Sequence, residues 1–186
     1  FVPGGEGGYY DANGAQYAIA VANPPDAPLP ATVDVWYKEG DVEKKVPLDA
    51  HGEIMDTVIL QPGDLHVYEL PRRDANGTLQ AALAYRVTSS VPIIAYQFNP
   101  LENVLVYSND ASLLLPLNSL GTTYRVLGWP DLGSWHGYVT IVATRDNTDI
   151  TVTVTATTLG GPGVPAMNPG DVHTATLQAF EVLNIE

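Results

Sequence analysis

Helical periodicity is nearly missing from this chain, and that constrains its fold more than any single motif does. No stretch of a dozen residues places apolar side chains at i, i+3, i+4 and i+7 free of glycine or proline. Period-two alternation runs along the chain instead. "ATVDVWYK" sets Val33, Val35 and Tyr37 on one face, and "TDITVTVTATT" sets Ile150, Val152 and Val154 against Thr151, Thr153 and Thr155. Further short runs read as strands: "YAIAVAN", "TVILQ", "LHVYEL", "LAYRV", "PIIAYQF", "NVLVYS", "SLLLPL", "YRVLGW", "YVTIVAT" and "FEVLNIE".

Turn chemistry separates them. Asn13-Gly14, Pro24-Pro25-Asp26, Gly40-Asp41, His51-Gly52, Pro62-Gly63-Asp64, Asn76-Gly77, Asp146-Asn147 and Pro169-Gly170-Asp171 all fall between apolar runs. With 17 glycines and 15 prolines punctuating the runs, the pattern predicts an all-β fold: an antiparallel β-sandwich, or two sandwich-like units. A parallel α/β arrangement would need crossover helices that the sequence does not offer. The polar knots Asn99-Pro100 and Ser108-Asn109-Asp110 read as turns whose side chains bond neighbouring backbone, with no ligand needed to explain them.

Two stretches echo each other. "LQPGDLHVYEL" (Leu60 to Leu70) and "MNPGDVHTATL" (Met167 to Leu177) share Pro, Gly, Asp, His and a final Leu in register. Upstream of each lies a Tyr-led strand, "YAIAVAN" and "YVTIVAT". An internal duplication is one reading, and chance recurrence of a common turn is the other. Duplication would make residues 9–107 and about 122–186 its copies, within a first sandwich unit over 1–107 and a second over 108–186 that stops early. Strands would then be owed by residues beyond Glu186 or by a partner chain.

Composition removes several function classes. The 186 residues carry 8 basic and 21 acidic groups, a net charge of −13, which argues against nucleic acid and anionic membrane surfaces. There is no cysteine, so disulfides, thiolate metal centres and thiol nucleophiles are excluded. Apolar runs such as "SLLLPL" are far too short to cross a bilayer. The first residue is Phe1 and no signal peptide is visible, so a processed or trimmed piece of something longer is expected.

From Ala84 the sequence "AYRVTSSVPIIAYQFNPLENVLVYSNDASLLLPLNSLGTTYRVLGWP" resembles the IgG Fc-binding protein N-terminal domain family. The shared pattern is an "S-x-x-P" turn into an apolar strand, then "AYQFNP", "SNDASLLLP" and "LGTxYRV". "LQPGDLHVYELPRRD" and "VTIVATRDNTDITVT" resemble the flanking segments, so the likeness spans about residues 15–186. It implies a domain that continues past "FEVLNIE". Such domains sit near the N-terminus of a large animal mucus glycoprotein and recur in secreted or surface-anchored bacterial proteins. The animal versions bear cysteine and this chain has none, which favours a bacterial-type surface member and weakens any transfer of antibody binding.

Candidate chemistry is sparse. "GSWHG" departs from a nucleophile elbow because Leu132 stands where a glycine is required, and no acid is placed to orient His136. His51, His66, His136 and His173 lack zinc-ligand spacing. Asp146, Asn147 and Asp149 in "RDNTD" form the candidate calcium loop, and no other cofactor is expected. Asn76 opens an Asn-Gly-Thr sequon. "GWPDLGSWHGY" gathers Trp129, Trp135, His136 and Tyr138 into one glycine-rich loop, the candidate ligand-binding site, although indoles in such a loop more often cover a sandwich end. The resulting expectation is a non-enzymatic, extracellular or cell-surface recognition and adhesion module with a protein or glycoprotein partner. A structural spacer and a glycan-binding module are the alternatives.

Overall fold

A computed structural model describes residues 15–104, 106, 109–131 and 136–186. Among them the chain forms β1 (Ala18–Ala22), β2 (Ala31–Glu39), β3 (Val42–Lys45), β4 (Val58–Leu60), β5 (Leu65–Glu69), β6 (Leu79–Ala82), β7 (Arg86–Ser89), β8 (Ile94–Phe98), β9 (Ala111–Leu113), β10 (Val139–Val142), β11 (Thr148–Thr153), β12 (Val172–Leu177) and β13 (Glu181–Ile185). The one helical element among these residues is a 3-10 turn, Leu117–Ser119. The fold is all-β with antiparallel ladders, as the alternation predicts.

Four sheets result, with orders β5-β1-β8-β9, β3-β2-β4 with β7 also on β2, β10-β13-β6, and β11-β12. They are distributed over two compact units. One contains residues up to Trp36, Lys45–Arg72 and Val87–Leu120; the other contains Tyr37–Lys44, Arg73–Arg86 and Gly121–Glu186. This interleaving differs from a linear cut at 107/108. β6 pairs with β13, and that pairing carries the Arg73–Arg86 segment into the second unit.

In the first unit, Ile19 and Val21 of β1 share a face with Tyr68 and Ala95, their cross-strand partners or near neighbours. Ala31, Val33, Val35 and Leu60 are buried from the neighbouring sheet. The Tyr68 hydroxyl donates to the Val33 carbonyl at 3.3 Å, so β5 reaches β2 directly. Burial pushes the Tyr68 phenol far above its usual range.

In the second unit, Ala143, Val154, Val164, Met167, Leu177, Leu183 and Ile185 form the core, with Ile150 and Val152 packed against it. β13 is buried on both faces and paired on both edges. Asn184, in its middle, accepts from the Thr140 hydroxyl at 2.6 Å and donates to the Gly77 carbonyl at 2.9 Å, so its burial leaves no amide atom unmatched. Arg73 lies over the rings of Tyr37 and Tyr85 and donates to the carbonyls of Lys38, Ala82 and Leu83. Burial pushes the Tyr85 phenol up to about 12.

The two Pro-Gly-Asp stretches have the same hydrogen bonding. Gly63 donates to the Asn23 carbonyl and Asn23 donates back to the Asp64 carbonyl; Gly170 and Asp171 make the same exchange with Val154. The Asp64 carboxylate accepts from the Gln61 amide and the Asp171 carboxylate from the Asn168 amide, each at 2.8 Å. Both glycines have φ above +90°, which a side chain disfavours. The strand that follows pairs back in matching register: His66 lies opposite Val21 and His173 opposite Val152. Leu70 and Leu177 then enter the cores fully buried.

This geometry corrects one pairing in the sequence comparison. The counterpart of "YAIAVAN" is β11, whereas "YVTIVAT" supplies β10 in another sheet. The two runs look alike because both alternate, and register alone separates them. "YRVLGW" forms no strand, and the described residues of "NVLVYS" form none either. β3 and β6 carry little alternation of their own. Gly40, at φ 58°, turns the chain so that "VEKK" lies beside β2.

Gly170→Ala is expected to cost about 1–2 kcal/mol through its left-handed backbone. Gly121→Ala, which has open space and no positive φ, is expected to stay within about 0.5 kcal/mol of wild type. Leu177→Ala is expected to cost about 2–5 kcal/mol by opening a cavity in the second unit. Urea unfolding of the three variants checks all three values.

Candidate functional site

The aromatic loop holds together at its neck. One Asp131 carboxylate oxygen accepts the Gly137 amide at 2.8 Å, and the other lies 3.0 Å from His136 Nδ1. The His136 contact and the Gly137 amide hold the Asp131 carboxyl below its ordinary range. Gly137 also meets the Trp129 backbone: a Cβ at position 137 would lie 2.2 Å from the Trp129 carbonyl oxygen. Only glycine lets the two ends of the loop approach this closely.

Trp129 is 88% exposed at that neck, and Tyr138 is exposed on its other side. The backbone of Trp129 therefore lies beside Gly137, which is flanked by His136 and Tyr138, while Trp135 lies outside the described residues. Trp129 does not cover a core. Asp131 and Gly137, which fix the neck, were not singled out as site residues from sequence. A carboxylate six residues before a glycine in a Trp-rich loop was the available signal.

Exposed apolar residues continue upstream. Tyr124 and Val126 are largely exposed and Leu127 is 98% exposed. The Tyr124 hydroxyl bonds both the amide and the carbonyl of Gly121, at 2.8 and 2.9 Å, closing a small turn before this run. In the first unit, Leu65, Ile94, Tyr96 and Leu113 are also exposed. The register puts them on one side of the β5-β1-β8-β9 sheet, with Ala20 and Ala22 between them.

The candidate calcium residues are engaged by protein donors. Asp146 accepts the Ala179 amide at 3.0 Å, Asn147 exchanges bonds with the Gln178 side chain, and Asp149 accepts the Thr176 hydroxyl at 2.6 Å. Asn147, at φ 54°, makes the β10–β11 turn. The histidines stay apart. His51 pairs with Glu69, which raises its pKa; His66 stacks edge-on against Tyr68, and burial lowers its pKa. His173 sits on β12. Among the described residues, no three His, Cys, Asp or Glu groups converge to hold a metal ion. At the polar knots, the Asn99 amide donates to the Asp110 carbonyl at 2.9 Å, while Ser108 lies outside the described residues.

The comparisons agree with the resemblance seen in sequence. Residues 110–186, which include the aromatic loop, match the family model described as IgGFc binding protein. No curated protein and no solved structure matches the chain. Among the described residues no helix is long and apolar enough to cross a membrane.

The neck should respond to acid with a definite sign. The folded-state pKa of Asp131 is depressed, so its two contacts persist above the ordinary carboxylate range and are lost as pH falls through the folded value. Amide exchange at Gly137 is expected to be protected at neutral pH and to lose that protection in acid. In Gly137→Ala, protection at residue 137 is expected to be lost at every pH.

Proposed function

We propose that this chain is a non-catalytic extracellular recognition module of adhesion type, which engages a protein or glycoprotein surface through the loop from Trp129 to Tyr138. The carrying observation is an indole left 88% exposed on a loop whose neck is pinned by Asp131 and Gly137. A loop whose backbone is fixed before contact loses less entropy on binding, and large exposed apolar groups of this kind mark interaction sites. The family match over 110–186 favours a protein partner, and the family description nominates the Fc fragment of immunoglobulin G as the first probe. A net charge of −13 steers the module away from nucleic acid and anionic membranes. The exposed Trp129 and Tyr138 rings are also the kind of surface on which sugars stack, so a glycan array is the second probe.

Binding to immobilised Fc is expected, with affinity falling roughly 30-fold in Trp129→Ala, as for an aromatic hot spot worth ~2 kcal/mol. Undiminished binding by Trp129→Ala would move the site off the loop. Failure to bind Fc alongside Trp129-dependent array hits would make the ligand a glycan. Failure on both would leave a structural spacer.

A further inference from the structure

The two Pro-Gly-Asp modules agree in turn and register, but among the described residues only one has strands on both sides of its first strand. β1 is paired on both sides, with β5 and with β8. β11 occupies the place of β1 in the second unit. Among the described residues it pairs on one side only, with β12. The edge corresponding to the β8 side is open. β11 carries none of the usual edge protections, having no proline, no lysine and no bulge, and its one charge is Asp149. Its inner face is already built, with Ile150 and Val152 packed on the core.

The same unit holds a strand-like run with no sheet. From Thr122 to Gly128 no backbone amide or carbonyl has a hydrogen-bond partner among the described residues. The run is rich in β-formers and free of proline. In extended form it sets Tyr124 and Val126 on one face and Leu127 on the other. Apolar groups on both sides suit a strand that is covered on both faces. Its one charge is Arg125, opposite in sign to Asp149.

We propose that these two features complete each other between molecules. Thr122–Gly128 of one copy adds as a strand to the open β11 edge of a second copy, and the exchange is reciprocal about a two-fold axis. A second copy is favoured over an unrelated protein because donor and acceptor lie in one chain and their single charges are complementary. The loop beginning at Trp129 lies outside the paired run, so the dimer would present two such loops.

The test is light scattering after size-exclusion chromatography over a range of protein concentrations. The expected result is a concentration-dependent dimer that is lost in Val126→Pro. Proline removes an amide from the donor run at an exposed site, so the monomer should keep the wild-type melting temperature and circular dichroism. Arg125→Glu and Asp149→Lys are each expected to weaken the dimer about tenfold, since a reciprocal dimer holds two such pairs, and the double variant to restore it. A wild type that stays monomeric at its highest soluble concentration overturns the proposal, as does a dimer unaffected by Val126→Pro. Trp129-dependent ligand binding by the Val126→Pro monomer is read separately, so failure of the dimer and failure of the recognition site are distinguishable.

Discussion

A β-strand cannot satisfy its own amides and carbonyls, so every strand needs a neighbour supplied from elsewhere in the chain. That constraint organises both units. It draws β6 against β13, with Asn184 bonding the carbonyl of a residue 107 positions away. It makes the last described strand a central one, buried on both faces. It also gives the open edge of β11 and the unpaired run before Trp129 their chemical meaning, since both hold backbone groups without protein partners among the described residues.

The Pro-Gly-Asp corner meets the same constraint locally. A glycine at positive φ lets the chain reverse, its amide and the following carbonyl close a two-bond exchange with the residue just past the end of the partner strand, and the aspartate carboxylate ties down the start of the turn. One arrangement therefore works in two settings. In the first, the residue facing the corner is Asn23, whose side-chain amide donates to the Leu29 and Leu60 carbonyls and fixes the next connection. In the second it is Val154, which joins an apolar core. Equal hydrogen bonding with unequal side chains means that the corner is a backbone device and the surrounding core is free to change.

The loop from Trp129 to Tyr138 follows a related logic on the surface. Its neck is closed by a carboxylate on a backbone amide and by a glycine against a carbonyl, and neither requires burial. The backbone that carries the Trp129 indole is thus held while the ring stays exposed.

Much of this was legible in the sequence because it is local. Alternation at Ile150, Val152 and Val154 reported a half-buried strand, and Pro-Gly-Asp reported a corner in both copies; Gly, Asn and Asp at turns reported where strands end. That Trp129, His136 and Tyr138 fall within ten residues of one another is read from the sequence for the same reason. Which strands meet was not legible. "YVTIVAT" and "TDITVT" alternate equally well, and only register places the second opposite "VHTATL". β3 and β6 form without a strong pattern because neighbours impose them, whereas "YRVLGW" has the pattern but no strand partner among the described residues. The sequence by itself determined strand periodicity, turn chemistry and charge, which arise from each residue and its near neighbours. Tertiary structure alone decided pairing, the interleaving of the two units and the close approach of Gly137 to Trp129, because hydrogen bonds and steric contacts join residues without regard to their separation along the chain.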